Sequence, residues 1–271
     1  MKRFMFFIAE LIKKIMENDL MSYANAMTYK IILSMLPFII FIMSLTAFFN
    51  LNIEDKLEYI MVNFPDNIKA FFDSMIKDVF ETKRIELLSF SLIISLFSAS
   101  SGVLSLMKGL NKVYEIDEKR NFFIVRIISV LIVFLVGLMV VIMSGEIIFK
   151  DKIIEFLAHK GIFLDFSEIL GYIMVEITLL VMIILLYRVA IYRNIKLKYI
   201  MPGAVFDLFA MCLTSKAFNI YINTFSNYSV FYGSLGGIFI LMIWINLLSA
   251  IILIGGQINY ITESRETNKD V

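Results

Sequence analysis

The chain has 271 residues, 60% of them hydrophobic and 18% charged, with a mean hydropathy of +0.84; soluble domains run at about 45–50% apolar and 25% charged, so a water-soluble globule is excluded. Lys plus Arg number 25 and Asp plus Glu 24, which leaves no overall basic field to hold nucleic acid. A single cysteine, Cys212, and a single histidine, His159, exclude an intramolecular disulfide and a histidine-rich metal cage, and no metal or cofactor is expected.

The first thirty residues carry Phe4, Phe7, Ile8, Leu11, Ile12, Ile15 and Met16 at helical spacing, with Lys2, Arg3, Glu10, Lys13, Lys14 and Glu17 on the other face. No continuous apolar core precedes a small-residue cleavage site, so this is no signal peptide. Residues 1–30 are expected to form an amphipathic helix, lying either in the cytoplasmic interface or against the protein's own cytoplasmic surface.

A bilayer core of about 30 Å is crossed by about 20 mostly apolar helical residues, and six stretches qualify. Ile31–Ile53, Leu87–Met107 and Ile127–Gly145 are free of charge; Ile169–Tyr187 contains Glu176, Tyr199–Ile222 contains Asp207 and Lys216, and Ser234–Ile261 is again uncharged. Between the first two, residues 54–86 place Leu57, Ile60, Met61, Ile68, Phe71, Phe72, Met75, Ile76, Val79 and Phe80 at helical spacing around Pro65-Asp66, the pattern of two short helices capping the outer mouth of a bundle. The expected fold is therefore all-α: one polytopic membrane domain, 1–271, of six transmembrane helices, with an interfacial N-terminal helix, a small external helical cap and a tail at 263–271.

Orientation follows from the basic residues. Segments 1–30, 108–126, 188–198 and the tail carry 16 Lys and Arg, whereas 50–86, 146–168 and 217–233 carry 8. The positive-inside rule then places both termini in the cytoplasm, as expected for a multi-pass protein of the bacterial inner membrane.

Ionisable groups within spans are costly and are candidates for function. Glu176 and Lys216 lie at similar depth, about 10 and 9 Å from the outer ends of their spans at ~1.5 Å per residue, which allows a pair, with Glu146 competing for the lysine. Nine helical steps put Asp207 on the face opposite Lys216, so it needs another partner, a water-filled cavity or a proton. These three form the candidate polar core. Ser95, Ser98, Ala99, Gly102 and Ser105 share one face of the second span, suited to close helix packing or to a polar wall. Pro37 and Pro202-Gly203 are candidate kinks, and Trp244, placed mid-span, needs an acceptor for its indole N–H and so is expected to face the bundle.

Phosphate loop, dinucleotide fingerprint, paired metal histidines and serine elbow are all missing, so the chain is expected not to be an enzyme. Several runs do resemble a known family. Ser22-Tyr-Ala-Asn-Ala-Met-Thr-Tyr29 through Leu33-Ser-Met-Leu-Pro37, Ser101-Gly102, Gly109-Leu-Asn-Lys-Val-Tyr114 and Arg120 resemble the YihY/BrkB family of bacterial inner-membrane proteins. So do Leu186-Tyr-Arg188, Met201-Pro-Gly-Ala204, Tyr221, Phe225-Ser-Asn-Tyr228, Tyr232-Gly-Ser-Leu-Gly-Gly237, Trp244 and Leu253-Ile-Gly-Gly-Gln-Ile-Asn259. Two departures stand out: Gly256-Gln257 replaces alanine-glutamate, so no charge role transfers to position 257, and Lys30 stands where an aromatic or apolar residue is common.

The resemblance implies six helices and cytoplasmic termini. Some members carry a tRNA-processing ribonuclease label, against which the lone His159 argues, since metal-dependent cleavage needs a cluster of histidines and carboxylates. The expected function is permease-like transport of a solute or lipid-linked molecule, with Asp207, Glu176 and Lys216 on the path. The alternative is a non-transporting protein that organises envelope components. Expected partners are membrane lipids and a small-molecule or lipid-linked substrate; the sequence offers no support for or against a homo-oligomer.

Overall fold

A computed structural model describes residues 2–48, 85–159, 167–224 and 235–267. These form seven helices and no strand: α1 (Lys2–Glu17), α2 (Leu20–Phe48), α3 (Ile85–Val113), α4 (Phe122–His159), α5 (Ser167–Ala190), α6 (Leu197–Thr224) and α7 (Leu235–Thr267). The expected external cap lies outside the described residues except for Ile85 and Glu86, which open α3.

Among the described residues, five helices are long and apolar enough to cross a membrane, through Ser89–Val113, Phe122–Met139, Ile173–Ala190, Leu197–Tyr221 and Phe239–Thr267. The remaining expected span, 31–53, starts inside α2, and its residues 49–53 lie outside the described ones. Large apolar side chains point outward along these helices: Phe90, Ile93 and Phe97 on α3, Ile127, Leu131, Phe134 and Leu138 on α4, and Phe209 and Leu213 on α6 are all more than half exposed. In water such a surface would drive aggregation; against acyl chains it is the ground state.

Two residues with positive φ mark where helices stop. Asp19 (φ 50°) follows α1 and Glu115 (φ 56°) follows α3. After α3 the Ile116 N–H donates to the Asn111 carbonyl (2.9 Å) and the Glu115 N–H to that of Lys112 (3.1 Å), the paired bonds by which a left-handed residue closes a helix. The break at Asp19 divides the expected 1–30 helix: α1 ends at Glu17, and residues 20–30 belong to the helix that enters the apolar layer. The expected tail is also shorter, since Glu263 to Thr267 continue α7, held there by Arg193 and Glu10.

One end of the bundle gathers α1, the 114–121 and 191–196 loops and the end of α7. Lys14 pairs with Glu115 (3.0 Å), Arg193 with Glu263 (2.6 Å) and Arg265 with Glu10 (3.2 Å through Nε), while Asn111 accepts the Tyr192 N–H (2.8 Å) and donates to Glu118 (3.1 Å). These are the four basic segments that the charge count assigned to one side, and they do meet. The core beneath them is apolar, with Leu106, Leu110, Ile183, Ile200 and Leu253 almost fully buried.

Candidate functional site: a buried polar seam

Asp207, ten residues into α6, is completely buried. Its Oδ2 accepts the Tyr187 hydroxyl from α5, and the same hydroxyl lies 2.6 Å from the Ile252 carbonyl of α7. Its Oδ1 has no hydrogen-bond partner among the described residues and faces the Gly255 backbone. Three helices thus converge on one carboxyl group.

Glycine makes that convergence possible. A Cβ on Gly255 would run into Oδ1 and stand 2.5 Å from the Tyr187 hydroxyl. A Cβ on Gly203 would meet the Gly255 carbonyl and stand 2.6 Å from the Asn259 amide. Instead the Gly203 N–H donates to Asn259 Oδ1 at 2.6 Å. Proline at 202 has no N–H to offer, yet α6 runs as one continuous helix through Pro202-Gly203, with Gly203 at the contact with α7.

From Asp207 the polar seam continues along α7 toward the basic end. Gly255, Asn259 and Glu263 recur every fourth residue, which keeps them on one face, while Gln257, two residues from Gly255 and from Asn259, lies on the opposite face of α7. Gln257 and Asn259 are fully buried and Glu263 nearly so. Asn18, in the link between α1 and α2, donates to Gln257 Oε1 at 3.0 Å. Gln257 Nε2, Asn259 Nδ2 and Glu263 Oε2 find no partner among the described residues. Buried polar atoms are nearly always bonded, so Asp207 Oδ1, Asn259 Nδ2 and Glu263 Oε2, unpartnered along one side of α7, mark a strip able to receive further donors and acceptors.

Two carboxyl groups at the basic end, Glu115 and Glu118, are favoured in their charged form. The Lys14 ammonium beside Glu115 keeps that carboxyl below its ordinary range, and the Arg120 guanidinium does the same for Glu118. Burial pushes the Tyr114 hydroxyl well above the usual phenol range, with its ring 5.5 Å from that of Tyr260.

The other sequence candidates fall elsewhere. The Glu176–Lys216 pair does not form: the Cys212 thiol donates to Glu176 at 3.1 and 3.3 Å, and Lys216 is exposed. Cys212 lies one turn before Lys216 on the same face, so the register of α5 on α6 differs by about 6 Å from equal depth. The Glu146 and His159 side chains lie outside the described ones. Asp207 and Lys216 do take opposite faces, one buried and one exposed. On α3, Gly102 packs on α2, where a Cβ would stand 2.9 Å from Ile31 Cγ1, and Ser98 is half-buried beside it. Trp244 is half-buried, its ring 6.3 Å from that of Phe218 on α6.

Tyr187, Gly255, Gln257 and Asn259 were missed as site residues. Their signal was the small and polar stripe at helical spacing inside the last apolar helix, together with the demand that Asp207 be met by a donor.

The match to known proteins spans the chain. The family of virulence factor BrkB matches residues 11–271. The Bacillus subtilis protein YfkH, named ribonuclease-like, is 32% identical over 98% of each chain. UPF0761 membrane proteins of Actinobacillus pleuropneumoniae and Haemophilus influenzae are 26% and 25% identical, covering 93% and 91% of this chain and 91% of their own lengths. No solved structure matches. With its apolar helices and these relatives, the chain is a multi-pass protein of the bacterial inner membrane and belongs to the BrkB family.

Proposed function

We propose that the protein is a permease-like carrier of a polar solute or a lipid-linked molecule, with six spans, both termini in the cytoplasm, and the seam from Glu263 to Asp207 as the inner part of its path. The observation that carries this reading is the hydrogen count at Tyr187. One hydroxyl hydrogen serves two neighbours, the Ile252 carbonyl and Asp207 Oδ2; a carbonyl only accepts, so when it takes the hydroxyl hydrogen, the contact with Asp207 is completed by a proton on the carboxyl group. A proton that can be shared or surrendered at mid-span is what a transport cycle couples to. The unpartnered amide nitrogen of Asn259 lies one turn from Gly255 on the same face of α7.

The name ribonuclease-like is YfkH's. A nuclease reading needs a metal-holding cluster, and among the described residues no three His, Cys, Asp or Glu side chains gather into one.

Asp207→Asn tests the reading, because the amide oxygen can still accept from Tyr187 while the exchangeable carboxyl proton is lost. The full chain would be reconstituted in vesicles loaded with a pH-sensitive dye, and the same variant placed in a strain lacking its own homologue. Expected are a wild-type proton flux above that of protein-free vesicles, its loss in Asp207→Asn, failed complementation, and little change in thermal unfolding. Full flux and full complementation by Asp207→Asn would remove Asp207 from the mechanism. Complementation by wild type without any flux would favour the envelope-organising role.

A further inference from the structure

Three cations stand at the ends of three successive apolar stretches: Lys30 directly before Ile31, Lys108 directly after Met107, and Arg126 directly before Ile127. That is the level of lipid headgroups. The fold brings them together on α3. Ser101, Ser105 and Lys108 follow at steps of four and three, forming one stripe. Lys30 reaches this stripe from α2 and donates to Ser105 Oγ at 2.6 Å. Arg126 reaches it from α4, donating to Ser101 Oγ at 2.9 Å and to the Phe97 carbonyl at 2.7 Å, with its guanidinium 3.6 Å above the Phe97 ring.

What distinguishes this cluster is its lack of acids. Elsewhere at the basic end Lys14, Arg120, Arg193, Lys198 and Arg265 each have a carboxylate. Lys30 and Arg126 bond only to hydroxyls and a carbonyl, and none of the three cations has an ion pair among the described residues. Arg126 Nε is buried without a partner, Lys108 is exposed and Lys30 half-buried, and the charges of Lys108 and Arg126 both bear on Lys30. Like charges that act on one another disfavour their charged forms, and an anion among them relieves that. Phe97, Ile93 and Phe90, all more than half exposed, run down α3 from the cluster into the apolar layer, which suits an acyl chain and has no use for a free phosphate ion.

We propose that Lys30, Lys108 and Arg126 form a binding site for the phosphate headgroup of an anionic phospholipid, seated on Ser101 and Ser105 with an acyl chain along Phe97, Ile93 and Phe90. The site is independent of the Asp207 seam. A juxtamembrane cation near anionic lipid contributes about 1 kcal/mol, or about fivefold in affinity.

The test uses the full chain in neutral detergent with a fluorescent phosphatidylglycerol as probe. Expected are much tighter binding of phosphatidylglycerol than of phosphatidylcholine, no displacement by inorganic phosphate, and about fivefold weaker binding in Lys108→Gln, about twentyfold in Lys30→Gln/Arg126→Gln. Lys119→Gln, an exposed cation at the same end, serves as the control and leaves binding unchanged. Because the double variant touches packed side chains, the exposed Lys108 carries the decision. Equal loss in Lys108→Gln and Lys119→Gln would reduce the effect to a diffuse surface field, equal binding of phosphatidylcholine would remove the headgroup, and displacement by inorganic phosphate would make it a soluble-anion site; each overturns the proposal.

Discussion

Helices α6 and α7 meet twice, in opposite ways. Toward the basic end, Gly203 and Gly255 let the two backbones touch, and Asp207 and Asn259 fill the contact with polar atoms. Toward the other end, Thr214, Ala217, Phe218 and Tyr221 face Ile243 and Leu247 across an apolar cavity of about 490 Å³. The first contact is set by residues with nothing to interpose, whereas the second leaves a cleft between apolar side chains. One helix pair therefore carries a close-packed polar joint and an open apolar cleft.

The sharpest way to break that contrast is to give the close-packed joint a side chain. Gly255→Leu drives its Cβ into Asp207 and Tyr187, and overpacking of a close contact costs about 1–3 kcal/mol or more; we expect little folded protein in detergent, read by gel filtration and thermal unfolding. Tyr187→Phe keeps the ring but strips a donor from two buried acceptors, a loss of about 1–3 kcal/mol, visible as a lower unfolding temperature. Ala217→Leu at the cleft should be close to neutral, within about 0.5 kcal/mol, since the cavity has room for it. A Gly255→Leu protein as stable as Ala217→Leu would mean that the joint is not close-packed.

The smallest effect concerns the surface tie between α1 and the end of α3. Glu115 is hydrogen-bonded by Lys14, which lowers its carboxyl from the usual 4.5. A carboxyl depressed on folding stabilises the fold above its unfolded value and loses that contribution as pH falls through the folded one. The stability difference between wild type and Glu115→Gln should therefore be complete at neutral pH and fade as the medium is acidified below 4.5 and through the lowered folded value. The pair is largely exposed, so the difference is small at any pH and shrinks with salt.

Much of the architecture was legible because lipid imposes it. Apolar runs of span length had to be helices, and the basic segments, counted along the chain, do meet at one end of the bundle. Helical geometry also placed Asp207 and Lys216 on opposite faces. The partners of those residues were not legible, because they depend on how far one helix slides along the next. Glu176 illustrates this: its depth matched Lys216, and a slide of one turn delivered it to Cys212. Tyr187 escaped notice for a related reason, since its place at the end of a span reads as an interfacial aromatic until α7 is seen beside it. The division at Asp19 hung on a single left-handed residue, and Asp tolerates that conformation without requiring it.

The ties of α1 have a consequence for how the chain is made. Glu10 waits for Arg265, 255 residues later, and Asn18 for Gln257, 239 residues later. Synthesis delivers the first helix tens of seconds before its seat exists, at a pace of about 5–20 residues per second. During that interval Met5, Ile8, Ile12 and Met16, which remain exposed even in the finished protein, would have only the membrane surface to rest on. Docking of α1 thus reports that the last helix has been inserted, and a chain truncated after α6 should display its N-terminal helix undocked, as a quality-control protease would find it.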